Sequence, residues 1–323
     1  MPLNGIWRKT QDIKNGVRVL VYSRKAFDVE HAQIMFAEDY VHLPAWGIYD
    51  EEALAPFLDR ARQCHVYMIG FTPKVEFLGA SQDEEMLFCH MKVLDEEFLV
   101  PFRLPKGLEL GCDAGYWHLF DKQGRRFFPN EATIQANLSK ISGKVYFDVQ
   151  YVGQAFGKDG SRNALDRLKK HETLQKISLK GAPEGHILQL LLLKIKKGNS
   201  IATVFNPFAK DTSHGEERIR AGLNKLFEPN EAERTTLYEA SLIRHFEPKF
   251  NKEFKESFPS TNLKVLADCY DKDFAALVAE INFDDFPYFI KSEKQAAAPT
   301  IMALHNLHEG DDRDVFFGKK LRL

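Results

Sequence analysis

The fold of this chain is decided by the stretch Lys144-Val145-Tyr146-Phe147-Asp148-Val149-Gln150-Tyr151-Val152-Gly153. Its β-branched and aromatic residues predict a strand over 144–152. Gly153 then opens a loop over 153–160, because glycine tolerates positive φ and close backbone approach. A helix is predicted from about 161 to 175 with Ser161 as its N-cap, followed by an apolar strand over 187–195.

Working outward, the sequence predicts two mixed α/β units and a tail. Strands are predicted at Val17–Tyr22, Val66–Phe71 and Val75–Leu78, a helix at Glu51–Gln63, and a hairpin over 116–128. Pro129-Asn130 punctuates the chain. We therefore predict an α/β (α+β) fold in three parts: an N-terminal domain over 1–130, a second domain with a small sheet flanked by helices over 131–295, and a loose tail over 296–323.

The second unit contains two further predicted helices. Residues 206–234 are polar and rich in turn formers, which indicates an insertion with a short helix around Glu216–Phe227. A helix over Thr235–Phe246 stops before Pro248, since proline cannot continue the hydrogen-bond ladder. Residues 262–291 are expected to add a strand and a helix.

Composition excludes several classes of protein. With 323 residues and 44% hydrophobic residues, the chain can bury a core. A formal net charge of −2 does not suggest a general polyanion binder, so any nucleic-acid contact must come from a local patch. The longest apolar run, 187–193, is shorter than the about 20 residues that span a bilayer. We therefore expect no membrane association.

The four cysteines indicate neither a metal site nor a disulfide framework. Cys64, Cys89, Cys112 and Cys269 are scattered, without a CxxC pair or a Cys/His cluster. Reduced thiols and a cytoplasmic location are the simplest expectation, and the N-terminus lacks the pattern of a signal peptide.

Arg167 and His171 carry the first chemical signal. A spacing of four residues places both on one stripe of the predicted helix, with Leu165 and Leu168 free to anchor it. A guanidinium matches phosphate oxygens, and histidine can donate to phosphate or move a proton near neutral pH. The alternative is a solvated basic face with an incidental histidine.

Glu239 and Tyr151 carry the second signal. Glu239 precedes Leu242 and Ile243, so it lies at the edge of an apolar stripe, and one carboxylate with water and phosphate is a usual way to hold magnesium. An ion pair with Arg244 or Lys249 is the alternative. The Tyr151 hydroxyl could orient water, but its ordinary pKa makes it a poor base unless a metal or arginine lowers it. A purely structural aromatic is the alternative there.

The order of these residues resembles the GIY-YIG endonuclease family. The matching positions are Tyr151-Val152-Gly153, Arg167, His171, and the segment Glu239 through Leu242-Ile243 and Pro248 to Asn251. The resemblance covers about residues 140–255. It implies a small αβ sheet domain and single-metal hydrolysis with Mg²⁺ (or Mn²⁺). By that resemblance Tyr151 positions or deprotonates water, Arg167 binds the scissile phosphate, Glu239 holds the metal and Asn251 braces the site.

The first tyrosine of the family pattern is unassigned. A literal Gly47-Ile48-Tyr49, with Tyr67-Met68-Ile69-Gly70 after it, is interpreted as coincidence, because residue 51 onward is helical in pattern. Tyr146 and Tyr116 are the candidates, although Tyr146 and Tyr151 would face opposite ways in one straight strand. A family member that lacks this tyrosine is the third possibility.

Basic residues support a nucleic-acid partner. Lys158, Arg162, Lys169, Lys170 and Lys176 cluster around the predicted helix, and each neutralised phosphate adds salt-dependent affinity. We expect a metal-dependent endonuclease that favours DNA over RNA, in restriction, anti-phage defence, mobile-element movement or repair.

The role of the N-terminal domain stays open at this point. It is expected to serve substrate selection, homo-oligomerisation or binding of a regulatory partner. Two alternative functions also remain: a catalytically inactive nucleic-acid-binding or interaction module on the same scaffold, and a different enzyme whose site lies in the N-terminal domain.

Overall fold

One mixed sheet of eight strands organises the chain. The computed structural model describes residues 26–157, 162–227, 231–260, 264–284, 286–309 and 313. The strand order is β13-β9-β2-β10-β1-β12-β14, with β11 also pairing β1. The strands of this sheet are β1 (Val29–Pro44), β2 (Val66–Pro73), β9 (Tyr146–Gln154), β10 (His186–Ile195), β11 (Ser200–Phe205), β12 (Ala276–Ile281), β13 (Phe289–Lys291) and β14 (Ile301–Asn306).

The helices cover both faces of this sheet or connect its strands. They are α1 (Glu51–Leu54), α2 (Leu58–Ala61), α3 (Glu131–Ser142), α4 (Ala164–Leu168), α5 (Glu172–Lys180), α6 (Gly215–Phe227), α7 (Glu231–Phe246) and α8 (Ala267–Asp271). Short 3-10 turns cover Ala45–Tyr49, Ala55–Phe57 and Lys264–Leu266. The mixed α/β class predicted from the sequence is confirmed.

Strand β1 extends across the centre of the sheet. Its first half pairs with β11 on one side and with β12 on the other, and its second half pairs antiparallel with β10. Strand β2 lies between β10 and β9 and is buried along its whole length. A strand buried on both faces is uniformly apolar rather than alternating, which matches Val66–Phe71.

Alternate residues of β2 enter two different apolar clusters, as the period of two in a strand requires. Val66 and Met68 join the larger cluster together with residues of α7. Tyr67 and Ile69 join the smaller cluster, which includes Leu165 and Leu168 of α4. The sheet therefore separates two cores.

Two small sheets are inserted between β2 and α3. The first contains β3 (Val75–Asp83), β4 (Met86–Val93) and β5 (Glu96–Arg103), and the second contains β6 (Leu108–Asp113), β7 (Tyr116–Asp121) and β8 (Arg126–Phe127). We call residues 75–127 the inserted module. The predicted hairpin over 116–128 corresponds to β7 and β8.

The large sheet crosses the predicted boundary near residue 130. Strands β1 and β2 precede that boundary yet occupy the middle of the sheet, and β14, from the predicted tail, pairs with β12. The division into 1–130, 131–295 and 296–323 therefore does not follow the hydrogen bonding. Pro129-Asn130 marks the end of the inserted module, where Asn130 caps α3 by accepting from the Thr133 amide, and not the end of a domain.

Other local predictions fare differently. Residues 51–61 form two short α-helices joined by a 3-10 turn instead of one helix. The predicted strand Val17–Tyr22 lies outside the described residues. In the described part of the chain, no helix has both the length and the apolar character needed to cross a membrane.

Gly70 generates a test of the β2–β9 contact. A Cβ atom at Gly70 would lie 2.5 Å from Phe147 Cε1 and 2.8 Å from the Asp148 carbonyl oxygen. Because the backbone oxygen cannot turn away, Gly70→Ala should lower the free energy of unfolding by about 1–3 kcal/mol, measured by urea denaturation.

Gly47→Ala is the matched control for this measurement. Its Cβ would meet only the end of the Leu43 side chain, at 3.3 Å, so its effect should stay within about 0.5 kcal/mol. An equal loss in both variants would contradict the assigned role of the Gly70 contact.

Candidate active site

Two tyrosines from neighbouring strands meet on the α4 side of the sheet. Antiparallel pairing places Tyr67 of β2 opposite Gly153 of β9, and Ile69 opposite Tyr151. The two ring centroids are 6.2 Å apart. Burial raises the pKa of the Tyr151 hydroxyl, while a hydrogen bond with Tyr67 opposes that shift. The hydroxyl groups of Tyr67 and Tyr151 therefore lie next to each other.

Gly153 makes this pairing possible. A Cβ atom at residue 153 would lie 2.6 Å from both Cζ and the hydroxyl oxygen of Tyr67. Any side chain there would displace the phenol. Gly153 therefore lets the Tyr67 side chain approach the backbone of β9, and it does not open the loop predicted from the sequence.

Arg167 is held above the tyrosines by α4. Asn163 caps this helix by accepting from the Asp166 amide at 2.9 Å. The Ala164 amide donates to the Cys64 carbonyl at 2.8 Å, which ties α4 to the residues just before β2. Leu165 and Leu168 are buried and anchor the helix, as expected from the sequence.

The exposed Arg167 influences every other group of the cluster. Burial raises the pKa of Tyr67, and both the charge of Arg167 and its hydrogen bond to the hydroxyl oppose this. The same charge opposes the upward shifts of Tyr151 and Glu239. An exposed cation bordering buried hydroxyls and a carboxylate is suited to bind an anion at the mouth of the site.

His171 lies beside both tyrosines, although not on the predicted helix. The helix expected over 161–175 is two helices, and His171 is the N-cap of the second, α5. The predicted stripe of Arg167 and His171 is therefore wrong, because Arg167 is an exposed residue of α4 and His171 caps α5. The predicted N-cap Ser161 lies outside the described residues. The His171 ring centroid is 5.6 Å from that of Tyr67 and 5.1 Å from that of Tyr151.

His171 is a neutral imidazole with a defined tautomer. Its Nδ1 accepts a hydrogen bond from the Leu174 amide at 3.3 Å, so Nε2 carries the proton. Burial and then the charge of Arg167 lower its pKa to about 4. At neutral pH this side chain can donate from Nε2 but is a weak base.

Glu239 of α7 approaches the same cluster from the other side of β9. Burial raises its pKa to about 8, against hydrogen bonds from the side chain and backbone of Gln154, and the charge of Glu253 raises it further. Arg244 is engaged with Glu247 at 3.8 Å and with the Lys255 carbonyl. The alternative of an ion pair between Glu239 and Arg244 is therefore not what the structure shows.

Asn251 fixes the strand that carries Tyr151. Its Oδ1 accepts from the Val152 amide at 2.9 Å, and its Nδ2 donates to the Val152 carbonyl at 2.8 Å. The side-chain amide of Asn251 thus makes the two hydrogen bonds to Val152 that a neighbouring strand would otherwise make. Asn251 therefore holds β9 in place at Val152, and the bracing role in catalysis that the family resemblance implies stays a prediction.

The two candidates for the first tyrosine lie elsewhere. The Tyr146 hydroxyl is 3.2 Å from His186 Nε2, and Lys291 lies over its ring. It is five residues from Tyr151, about 17 Å along a strand. Tyr116 is 77% exposed on β7 of the inserted module. Neither joins the cluster; the tyrosine that lies beside Tyr151 is Tyr67.

Tyr67 and Gln154 are the site residues that the sequence interpretation missed. Tyr67 was set aside with the literal Gly47-Ile48-Tyr49, which indeed forms a 3-10 turn. The available signal was the predicted strand over Val66–Phe71, which could have paired with 144–152. The inserted module and α3 separate the two strands along the chain, and this distance concealed the pairing.

The basic residues remain at the surface near the cluster. Arg162, Lys169, Lys170 and Lys176 are exposed on or beside α4 and α5, and Lys176 is 3.7 Å from Glu172. The exposed Tyr49 hydroxyl donates to the Lys169 carbonyl at 3.4 Å. Lys158 lies outside the described residues.

The donor set fits a cation that is only partly held by protein. Among the described residues, no three His, Cys, Asp or Glu side chains are grouped to hold a metal. Glu239 alone, with Glu253 close enough to shift its pKa, could supply one carboxylate, while water and a substrate phosphate complete a magnesium shell. A carboxyl group whose ionised form is disfavoured by burial gains most from such a cation.

Comparisons with known proteins identify no relative of this chain. No family model, no curated protein and no solved structure matches this chain. The function must therefore be inferred from the arrangement of its side chains.

The environment of His171 generates a prediction about pH. Above pH 6.5, which is the ordinary pKa of histidine, His171 is neutral in both the folded and the unfolded chain. Between pH 6.5 and about pH 4, His171 takes up a proton in the unfolded chain but not in the folded one. The folded protein therefore loses stability as the pH falls through this range. His171→Asn retains an N-cap acceptor and removes this titration.

The measurement compares urea unfolding of both proteins from about pH 7.5 to about pH 4.5. His171→Asn should lose less stability over this range than the unsubstituted protein. His305, whose pKa is lowered to about 4 in the same way, remains in both and cancels in the difference. Parallel pH profiles would show that His171 is not held neutral.

Proposed function

We propose that this protein is a metal-dependent endonuclease that hydrolyses phosphodiester bonds of DNA. The proposal is carried by one observation: Tyr67, Tyr151, Arg167, His171 and Glu239 come from five separate elements and influence one another at one place. Shifted pKa values of several groups beside an exposed cation are typical of reaction sites. The same arrangement supports a relationship to the GIY-YIG endonucleases, with Tyr67 as the first tyrosine.

Each side chain has a role that its surroundings allow. Arg167 binds the scissile phosphate, because it is exposed and permanently charged. His171 donates from Nε2 to a phosphate oxygen. The linked hydroxyls of Tyr67 and Tyr151 orient the attacking water and pass its proton outward, whereas Gln154 and Asn251 hold Glu239 and β9 in place.

Glu239 is the residue that would hold Mg²⁺ or Mn²⁺. Such an ion supplies positive charge that polarises the phosphate, stabilises the leaving oxygen and lowers the pKa of nearby hydroxyl groups. Without added positive charge, burial keeps both tyrosine pKa values too high for either phenol to serve as a base at neutral pH.

The surface around the site favours a nucleic acid as partner. The exposed cations of α4 and α5 neutralise backbone phosphates, and Tyr49 adds an aromatic ring next to Lys169. We infer DNA as the substrate, a cytoplasmic location, and a role in restriction, anti-phage defence, mobile-element movement or repair. The inserted module is the candidate for substrate selection, oligomerisation or regulation.

One observation favours a second function, an inactive nucleic-acid-binding module. Tyr67 is only 1% exposed, so its hydroxyl reaches a substrate only through Tyr151. In a protein that binds DNA through α4 and α5 without cutting it, Arg167 and the lysines would contact phosphates, whereas Glu239 would have no role in binding.

Nicking of supercoiled plasmid in Mg²⁺ distinguishes these functions. The unsubstituted protein should cut, and Glu239→Gln should reduce cutting to the background level, since it removes the carboxylate proposed to hold the metal. Tyr67→Phe and Arg167→Ala should each lower the rate by about 10²-fold or more. DNA affinity should fall only for Arg167→Ala.

Tyr146→Phe and Tyr116→Phe are the controls, because both remove a tyrosine hydroxyl that lies outside the cluster. They should cut like the unsubstituted protein. DNA binding without any cutting would support the inactive module. Cutting that survives both Glu239→Gln and Tyr67→Phe would place the chemistry elsewhere.

A further inference from the structure

A cavity lies between the inserted module and the large sheet. Its volume is about 590 Å³, within the range of about 300–1,000 Å³ that is usual for small-molecule sites. The inserted module contributes aromatic and aliphatic walls, and α3 closes one side. The lining residues used below are Ala80, Trp117, Glu131, Ile187, Gln189 and Tyr288.

The cavity is on the opposite face of the sheet from the tyrosine pair. Thr72 of β2 and Gln189 of β10 line it, and residues at even distances from Thr72 on β2, such as Met68, point to the larger apolar cluster. Tyr67 points to the other face, five residues and about 17 Å away along β2. The cavity is therefore not part of the proposed active site.

One buried polar atom on this wall lacks a partner. Within the described residues, Gln189 Oε1 makes no hydrogen bond, and Gln189 is only 5% exposed. An unsatisfied buried acceptor costs stability, because its hydrogen bond to water is lost without replacement. Gln189 lies in the middle of an otherwise leucine-rich strand, where a leucine would pack without this cost, so the amide is informative.

The charge of the lining limits what can bind. Among the described lining residues there is no lysine or arginine, and Glu131 is the one carboxylate. A phosphate group would therefore meet one repulsive charge and no permanent counter-charge. Trp117, Tyr288 and the aliphatic walls favour a flat apolar body.

We propose that this cavity binds an uncharged, planar aromatic small molecule that donates one hydrogen bond to Gln189 Oε1. The aromatic body fills the space between the inserted module and the sheet, and its N–H or O–H satisfies the orphan acceptor. The inserted module is then a ligand-binding unit, and this inference does not depend on the proposed nuclease activity.

The test uses indole and benzofuran, which share a shape but differ in one N–H donor. Ligand-observed NMR titration of the full chain should give an affinity for indole about tenfold higher than for benzofuran, the usual effect of one buried hydrogen bond. Adenosine 5′-monophosphate, an aromatic molecule with phosphate, should not bind at this site.

Two variants make the result specific. Gln189→Leu removes the acceptor without leaving a buried polar atom, so it should fold and should bind indole and benzofuran equally. Gln175→Leu, on the exposed face of α5, is the matched control and should keep the tenfold preference. Ala80→Phe fills the cavity from β3 and should abolish binding of both molecules.

Several outcomes would overturn the proposal. These are no binding of either probe, equal affinities for both in the unsubstituted protein, a preference for indole that persists in Gln189→Leu, and competition of indole by adenosine 5′-monophosphate. Binding that survives Ala80→Phe would place the probes at another site.

Discussion

The close pairing of β2 with β9 is the constraint on which the rest of this structure depends. At Gly70 and Gly153 a side chain on one strand would collide with an aromatic ring, Phe147 in one case and Tyr67 in the other. The two glycines therefore let large aromatic residues occupy the neighbouring positions on opposite faces. One face gains a core phenylalanine and the other a pair of hydroxyls, so stability and chemistry rest on the same backbone contact.

The electrostatics of the cluster follow from its position at the boundary between core and solvent. Burial raises the pKa values of Tyr67, Tyr151 and Glu239 and lowers that of His171. All four shifts favour uncharged forms, and Arg167 is the charged exception at the surface. In the proposed function, Arg167 meets the anionic substrate and Glu239 meets the cation, so the binding of one favours the binding of the other.

The sequence predicts the secondary-structure elements that depend on neighbouring residues, and the roles of side chains within those elements. The strands around Val66 and Tyr151, the helix of Glu239 and the anchoring role of Leu165 all follow from periodicity and from turn residues. Tyr67 could not be recovered in this way, because strand pairing is long-range and β2 is separated from β9 by a whole module. The break between α4 and α5 was also missed: the lone histidine acts as a cap, and capping depends on backbone geometry that a helical stripe does not reveal.

The position of the inserted module explains how a long insertion can separate the two tyrosines along the chain without disturbing their contact. The module leaves the sheet after Pro73 and returns through α3, so both junctions lie at the end of β2 that is remote from Tyr67. The register at Tyr67 is fixed by Asn251, Gly153 and α4, none of which belongs to the module. The module can therefore vary or bind a ligand on one face while the tyrosine pair keeps its geometry on the other. Strand β2 is one direct link between the two faces, because Thr72 lines the cavity and Tyr67 belongs to the tyrosine pair.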